Sequence, residues 1–230
     1  METFVDALEF VFDERALIWD KTVEHLVLSG AAIGVAVVLA IPLGVWLGHL
    51  HRGSFLAINV SNVGRALPSL AVISIGLGVL GVGFLNVMVA LVILAGPVML
   101  TNAYVAVDQV DPDAVRAARA MGMRPLQVLL RVELPLALPL MFAGIRTAAV
   151  YVVATAPLAA LAGGGGLGDI IVNQPTYGLE GVVAGSIAIA ALAFATEGAF
   201  ALLQHLVTPR ALRRRDEQAL VQPRVETAAA

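Results

Sequence analysis

HLVLSGAAIGVAVVLAIPLGVWLGHL, residues 25–50, holds no Asp, Glu, Lys or Arg and decides the fold class. A bilayer core about 30 Å thick requires about 20 consecutive apolar residues in a helix, and this run exceeds that length. Further stretches of the same kind follow at about 61–80, 84–107, 136–161 and 181–207. The predicted architecture is therefore all-α: a polytopic membrane bundle of about five transmembrane helices. Composition agrees, since 59% of the 230 residues are hydrophobic, 13% are charged and the mean hydropathy is +0.89. A water-soluble domain of this size does not carry so little charge, so the solvent is the lipid bilayer.

Working outward, residues 1–20 scatter Phe4, Leu8, Phe10, Val11, Leu17, Ile18 and Trp19 among acids, which predicts an N-terminal amphipathic helix lying at the interface. Glu2, Asp6, Glu9, Asp13 and Glu14 stand where a cleaved signal would be positive, so the first span is expected to act as its own signal. The membrane domain is expected over 21–209. Residues 210–230, basic and then polar, are expected to form a disordered cytoplasmic tail. Arg52, then Arg116, Arg119, Arg124 and Arg131, then Arg210, Arg213, Arg214 and Arg215 fall on one side of five spans. The positive-inside bias makes that side cytoplasmic and puts the acidic N-terminus outside the cell membrane.

Chemistry is limited by what is missing. The chain has no cysteine, and its single lysine, Lys21, belongs to no phosphate-binding loop, so it carries no ATPase site. His25, His49, His51 and His205 have no metal-ligand spacing and are expected as interfacial polar residues. Neither a nucleic-acid role nor a nucleophile-base set within the spans is indicated. The sequence thus predicts a transporter subunit rather than an enzyme, with no cofactor of its own. An ion-coupled secondary transporter would show inverted repeats and several intramembrane ionisable groups, and the sequence offers neither. Pro42, Pro68, Pro97 and Pro157 within spans support a pore only weakly, because prolines are common in membrane helices.

Residues 108–135 form the polar interval between the third and fourth spans. Asp111 can cap a helix that opens at Pro112, Gly122 can end it in the left-handed conformation, and Pro125 can open the next. Two short helices joined by a glycine turn are predicted to lie across the cytoplasmic surface.

Ala117-Ala118, Gly122, Val132 and Leu134-Pro135 stand in the spacing of the cytoplasmic loop of ABC-type importer permeases, which reads Glu-Ala-Ala, three residues, Gly, nine residues, Ile, one residue, Leu-Pro. The chain resembles that family over about residues 64–209, and the resemblance implies the type I importer permease (MetI-like) fold. It also implies that Arg116, Ala117, Ala118, Gly122, Val132, Leu134 and Pro135 couple the spans to a separate ATPase subunit, which binds ATP and Mg. Arg116 occupies the position of the family's glutamate, a reversed charge at that contact. Gly64 to Ser69, Glu133 to Pro139, Gly144 to Thr147 and Gly163 to Asp169 are similar to the branch that imports glycine betaine, choline or carnitine. Importers of methionine and other small zwitterions share much of this architecture. The partners implied are the ATPase, a second permease subunit, identical or homologous, and an extracytoplasmic substrate-binding protein.

Two further groups complete the expected site. Gly163, Gly164, Gly165 and Gly166 with Asp169 are expected to serve flexibility or close helix approach, and as a functional hypothesis to gate the outer mouth. Arg65, Arg146 and Glu197 are charges in or near spans, and Glu197 is expected to pair with Arg146 or Arg65. Trp46 and Tyr151 are too few to build an aromatic cage for a quaternary ammonium, and Trp19 and Tyr177 suit interface anchors.

Overall fold

The computed structural model describes residues 2–208 and is built of helices in the order α1 Glu2–Asp13, α2 Arg15–His49, α3 Ser54–Ala66, α4 Ser69–Leu80, α5 Phe84–Asp108, α6 Pro112–Ala120 and α7 Pro125–Val128. A π-helical segment Leu129–Glu133 leads into α8 Leu134–Thr155, a 3-10 segment Ala156–Ala162, α9 Gly168–Val172 and α10 Gln174–Val207. The expected tail, with Arg210 and Arg213 to Arg215, lies outside the described residues.

Four stretches, Arg15–His49, Phe84–Asp108, Pro125–Ala162 and Gln174–Val207, are individually long and apolar enough to cross a membrane. The expected second span is instead two helices, α3 and α4, separated at Leu67 and Pro68. Proline has no N–H to give and pushes the residue before it out of the helical region, and Leu67 accordingly sits at φ −70°, ψ 121°. The pair still runs from one end of the bundle to the other. Irregular backbone at this depth is tolerated where it is buried in protein or lines a cavity.

Contacts define the two ends. The Cβ position of Gly48, near the end of α2, lies against Tyr104 O near the end of α5, so these helices run parallel. His25 Nε2 at the other end of α2 lies 3.0 Å from Val153 O near the end of α8, so α8 runs opposite. Gly83 N donates to Ala162 O at 2.8 Å, placing the α4–α5 turn at the His25 end. Gln204 Nε2 donates to Pro139 O at 3.0 Å, returning the end of α10 to the start of α8. The 49–53 turn and the 108–135 interval therefore share one end, here the arginine-rich end, and the N-terminus and glycine loop share the other.

The core is made by small residues. Ala32, Ala36, Ala40, Gly44 and Gly48 recur every fourth residue along α2, all buried, and face α5. Without a hydrophobic drive between helices in lipid, close backbone approach and dispersion supply the association, which needs such a stripe.

Two boundaries differ from the sequence reading. Residues 15–20 belong to α2, not to the N-terminal helix, and α1 turns Phe10 onto Tyr177 of α10, with ring centroids 6.4 Å apart and edge-on at 84°. Part of its apolar face thus covers protein. At the arginine-rich end only α6 is a separate short helix, because α7 continues through the π segment into α8. The break in α10 at Gly178 (φ 67°, ψ −176°) falls just before the expected start of the last span at about 181.

Candidate functional site

Asp111 Oδ1 accepts from Asp113 N at 2.9 Å and Pro112 takes the first helical position, so α6 starts where its side-chain cap dictates. It ends at Gly122 (φ 81°), with Gly122 N on Arg119 O at 3.0 Å and Met123 N on Ala118 O at 3.2 Å. Val115 and Ala118 face inward onto Val107, Val128 and Met141. Arg116 and Ala117 face outward, so of the two adjacent alanines only Ala117 is free to meet a partner. Met121, Leu126 and Leu130 stand exposed around the turn, Met121 at 73%. These three apolar side chains lie among the arginines of the turn and were not singled out by sequence.

Arg116 forms an ion pair with Asp113 on its own helix. The reversed charge is therefore neutralised locally, a cheap arrangement at an exposed site. Val132, Leu134 and Pro135 are half-buried in and after the π segment. There Leu134 N donates to Leu129 O, five residues back. One extra residue per turn fits the helix to Pro135, whose missing N–H and ring would break a regular ladder.

Two histidines tie the turn after α2 to this region. His49 Nδ1 lies 2.5 Å from Glu133 Oε2, with both side chains buried, and His51 Nδ1 lies 2.9 Å from Asp108 Oδ1. His51 has φ 47° because it occupies the left-handed position of the helix-ending motif, Arg52 N reaching Leu47 O and His51 N reaching Gly48 O.

At the opposite end the glycine loop is held down. Glu24 Oε2 accepts from Gly166 N and from Lys21 Nζ, each at 2.9 Å, and Lys21 Nζ also reaches Asp169 Oδ2 at 2.9 Å. Gly163, Gly165 and Gly166 all have positive φ, and a Cβ on Gly164 would stand 2.8 Å from both Ala159 and Val87. Close approach, not slack, is what these glycines provide. Asp169 was singled out by sequence, whereas its partner Lys21, and Glu24, which shares that lysine, were missed. Lys21→Met leaves Glu24 and Asp169 facing each other without their shared cation. With Glu24 partly solvated, the expected loss is about 1 kcal/mol, read as a fall of about 3 °C in the unfolding midpoint of the detergent-solubilised protein.

Within the spans, Arg146 Nε on α8 lies 3.3 Å from Glu197 Oε1 on α10. The side chain of Arg65 lies outside the described residues. Glu197→Gln keeps shape and a hydrogen-bond acceptor while removing the charge, so the expected result is a loss of about 1 kcal/mol with transport retained. A thermal melt alongside an uptake assay checks both. Halfway along the bundle, Gly64, Leu94, Val98, Asn102, Thr147 and Tyr151 line a cavity of about 460 Å³. Its polar groups come from α5 and α8, and its third wall is the helix that breaks at Pro68. Among the described residues no group of three His, Asp or Glu could hold a metal ion.

Together, an apolar helical bundle with a broken helix beside a mid-depth cavity and an exposed, capped helix-turn at one end define a membrane permease. The chain belongs to the family of binding-protein-dependent transport system inner membrane components, whose family model matches residues 40–212. It is 35% identical to the choline transport system permease protein OpuBB of Bacillus subtilis over 198 residues, 86% of this chain and 91% of that one. It is also 35% identical to the carnitine transport permease protein OpuCB of Listeria monocytogenes over 215 residues, 93% of this chain and 99% of that one. The fold is similar to a chain of the MetNI methionine ABC transporter in an inward-facing conformation, with TM-score 0.75 and 21% identity over 86% of this chain and 99% of the other. The chain is thus an inner membrane component of a binding-protein-dependent transport system, in an all-helical membrane fold.

Proposed function

We propose that the chain is the membrane subunit of an ATP-driven importer of a small quaternary-ammonium or zwitterionic osmoprotectant of the glycine betaine, choline or carnitine kind. The observation that carries this reading is the near full-length similarity to relatives named for choline and carnitine transport. ATP and Mg are handled by a partner ATPase, and an external binding protein delivers the substrate. Two permease subunits, identical or homologous, enclose one pathway. The arginine-rich end faces the cytoplasm by the positive-inside bias, with the C-terminus inside, the N-terminus outside, and the latched glycine loop at the outer mouth.

The coupling surface is the exposed side of the α6 turn. Arg116, Ala117 and Gly122, with Met121, Leu126 and Leu130, meet the ATPase; Ala118, Val132, Leu134 and Pro135 carry its movement inward. The local Arg116–Asp113 pair supports this assignment, because the arginine then needs no acid on the ATPase. The cavity at Asn102, Thr147 and Tyr151 lines the pathway. It offers hydroxyls, an amide and one aromatic face but no carboxylate, suiting passage of a substrate whose cation would be trapped by an acid. A methionine importer is the second reading, which the fold similarity supports only at the level of architecture.

Competition assays separate the two readings. In cells expressing the chain with its partner subunits, uptake of labelled glycine betaine is expected to be suppressed by excess choline or carnitine and untouched by methionine. Suppression by methionine alone would replace the first reading with the second.

A further inference from the structure

His49 and Glu133 are 84 residues apart in sequence, yet they form an enclosed polar contact at the arginine-rich end: Nδ1 and Oε2 are 2.5 Å apart and the side chains are 9% and 1% exposed. Each end of this contact is mechanically defined. His49 closes α2, and α2 is locked to α5 where Gly44 and Gly48 leave no room for a Cβ against Leu100 O and Tyr104 O. Glu133 closes the π segment, five residues wound with one extra residue per turn. Such segments are rare and concentrate at functional sites, where the helix can change register.

We propose that His49 and Glu133 are positioning residues for energy coupling, the hydrogen bond between them being the strut that passes movement of the α6–α7 turn to the locked α2–α5 pair. The proposal rests on the ATP-driven reading above. α6 leaves α5 through the short link at Gln109 to Asp111, and α7 returns as one continuous helix into α8. A push on the Gly122 turn reaches α5 through the packing of Val115 and Ala118 with Val107, and reaches α8 along the continuous helix. The His49–Glu133 contact adds a direct polar tie from that helix to the end of α2. The contact is also not finished as a purely structural one would be, since Glu133 Oε1 is buried without a hydrogen-bond partner among the described residues. A buried carboxylate oxygen left unpaired calls for an explanation, and a role in coupling supplies one.

The test uses the permease co-purified with its ATPase and reconstituted with its binding protein in liposomes, with labelled glycine betaine as probe. For His49→Gln and for Glu133→Gln, ATP hydrolysis continues while uptake falls, so that ATP hydrolysed per substrate imported rises about tenfold. The double variant is no worse than either single one, because both remove the same contact. The exchanged pair, His49→Glu with Glu133→His, recovers coupling to within about twofold of the starting protein. This exchange also decides the matter if the single variants fail to assemble. An unchanged ATP-to-substrate ratio in assembled single variants, or an assembled exchanged pair that hydrolyses ATP without import, would overturn the strut. Absence of ATP-dependent uptake by the unaltered complex would instead remove the transport reading on which it stands.

Discussion

Gly122→Trp will leave the permease folded and, on the proposed function, strip it of the partner ATPase, with at least about a thirtyfold loss of affinity, the scale of an interface hot spot. The separation of effects follows from the geometry of the turn. A Cβ on Gly122 meets nothing within 4 Å, so the chain itself has room for a side chain. The positive φ of 81° costs about 1–2 kcal/mol for an L-residue, which the long bundle can absorb. An indole beside Met121 and Leu126, by contrast, fills the surface proposed to seat the ATPase. Gly122→Ala isolates the backbone strain and is expected to retain most of the ATPase. Co-purification in mild detergent, compared across the three proteins, reads the result, and equal retention by all three would remove this turn from the interface.

Gly44→Val has the opposite signature, destroying the bundle without touching the docking end. Its Cβ would stand 2.5 Å from Leu100 O and 2.7 Å from Ala103 Cβ, so backbone must move, at a cost of about 3 kcal/mol or more. Gly34 on the same helix has nothing within 4 Å. Gly34→Ala is therefore neutral or gains up to about 1 kcal/mol from the better helix former. Monodisperse yield after detergent extraction, followed by a thermal melt, distinguishes the two. Similar melts for both variants would show that α2 and α5 do not meet along this stripe.

What was legible in the sequence was whatever local pattern controls. Hydropathy marked the apolar stretches, and Asp111, Pro112, Gly122 and Pro125 marked α6, its turn and the next helix start, because caps and prolines act within a few residues. Pro68 was read as lying within a span, but it separates two helices, since extended Leu67 completes the interruption that proline begins. Pro135 was read as a motif residue, and its effect on the preceding turn, a π segment in place of a surface helix, was missed. The stripe Ala32, Ala36, Ala40, Gly44 and Gly48 was visible as a four-residue repeat, but its meaning depends on α5 lying opposite. The pairs Lys21 with Asp169 and His49 with Glu133 were beyond reach for the same reason, being separated by 148 and 84 residues and joined only when helices pack. Lys21, the one lysine in an apolar chain, was the available signal for the first.

The central claim is that ATP hydrolysis on a partner subunit moves substrate through this chain. Its most direct test is uptake of labelled glycine betaine into liposomes holding the co-purified complex, with binding protein outside, ATP and Mg inside, and all ion gradients collapsed by ionophores. Uptake that continues under these conditions and stops when ATP is replaced by a non-hydrolysable analogue is the predicted result. Uptake that needs an ion gradient and ignores ATP would contradict the account.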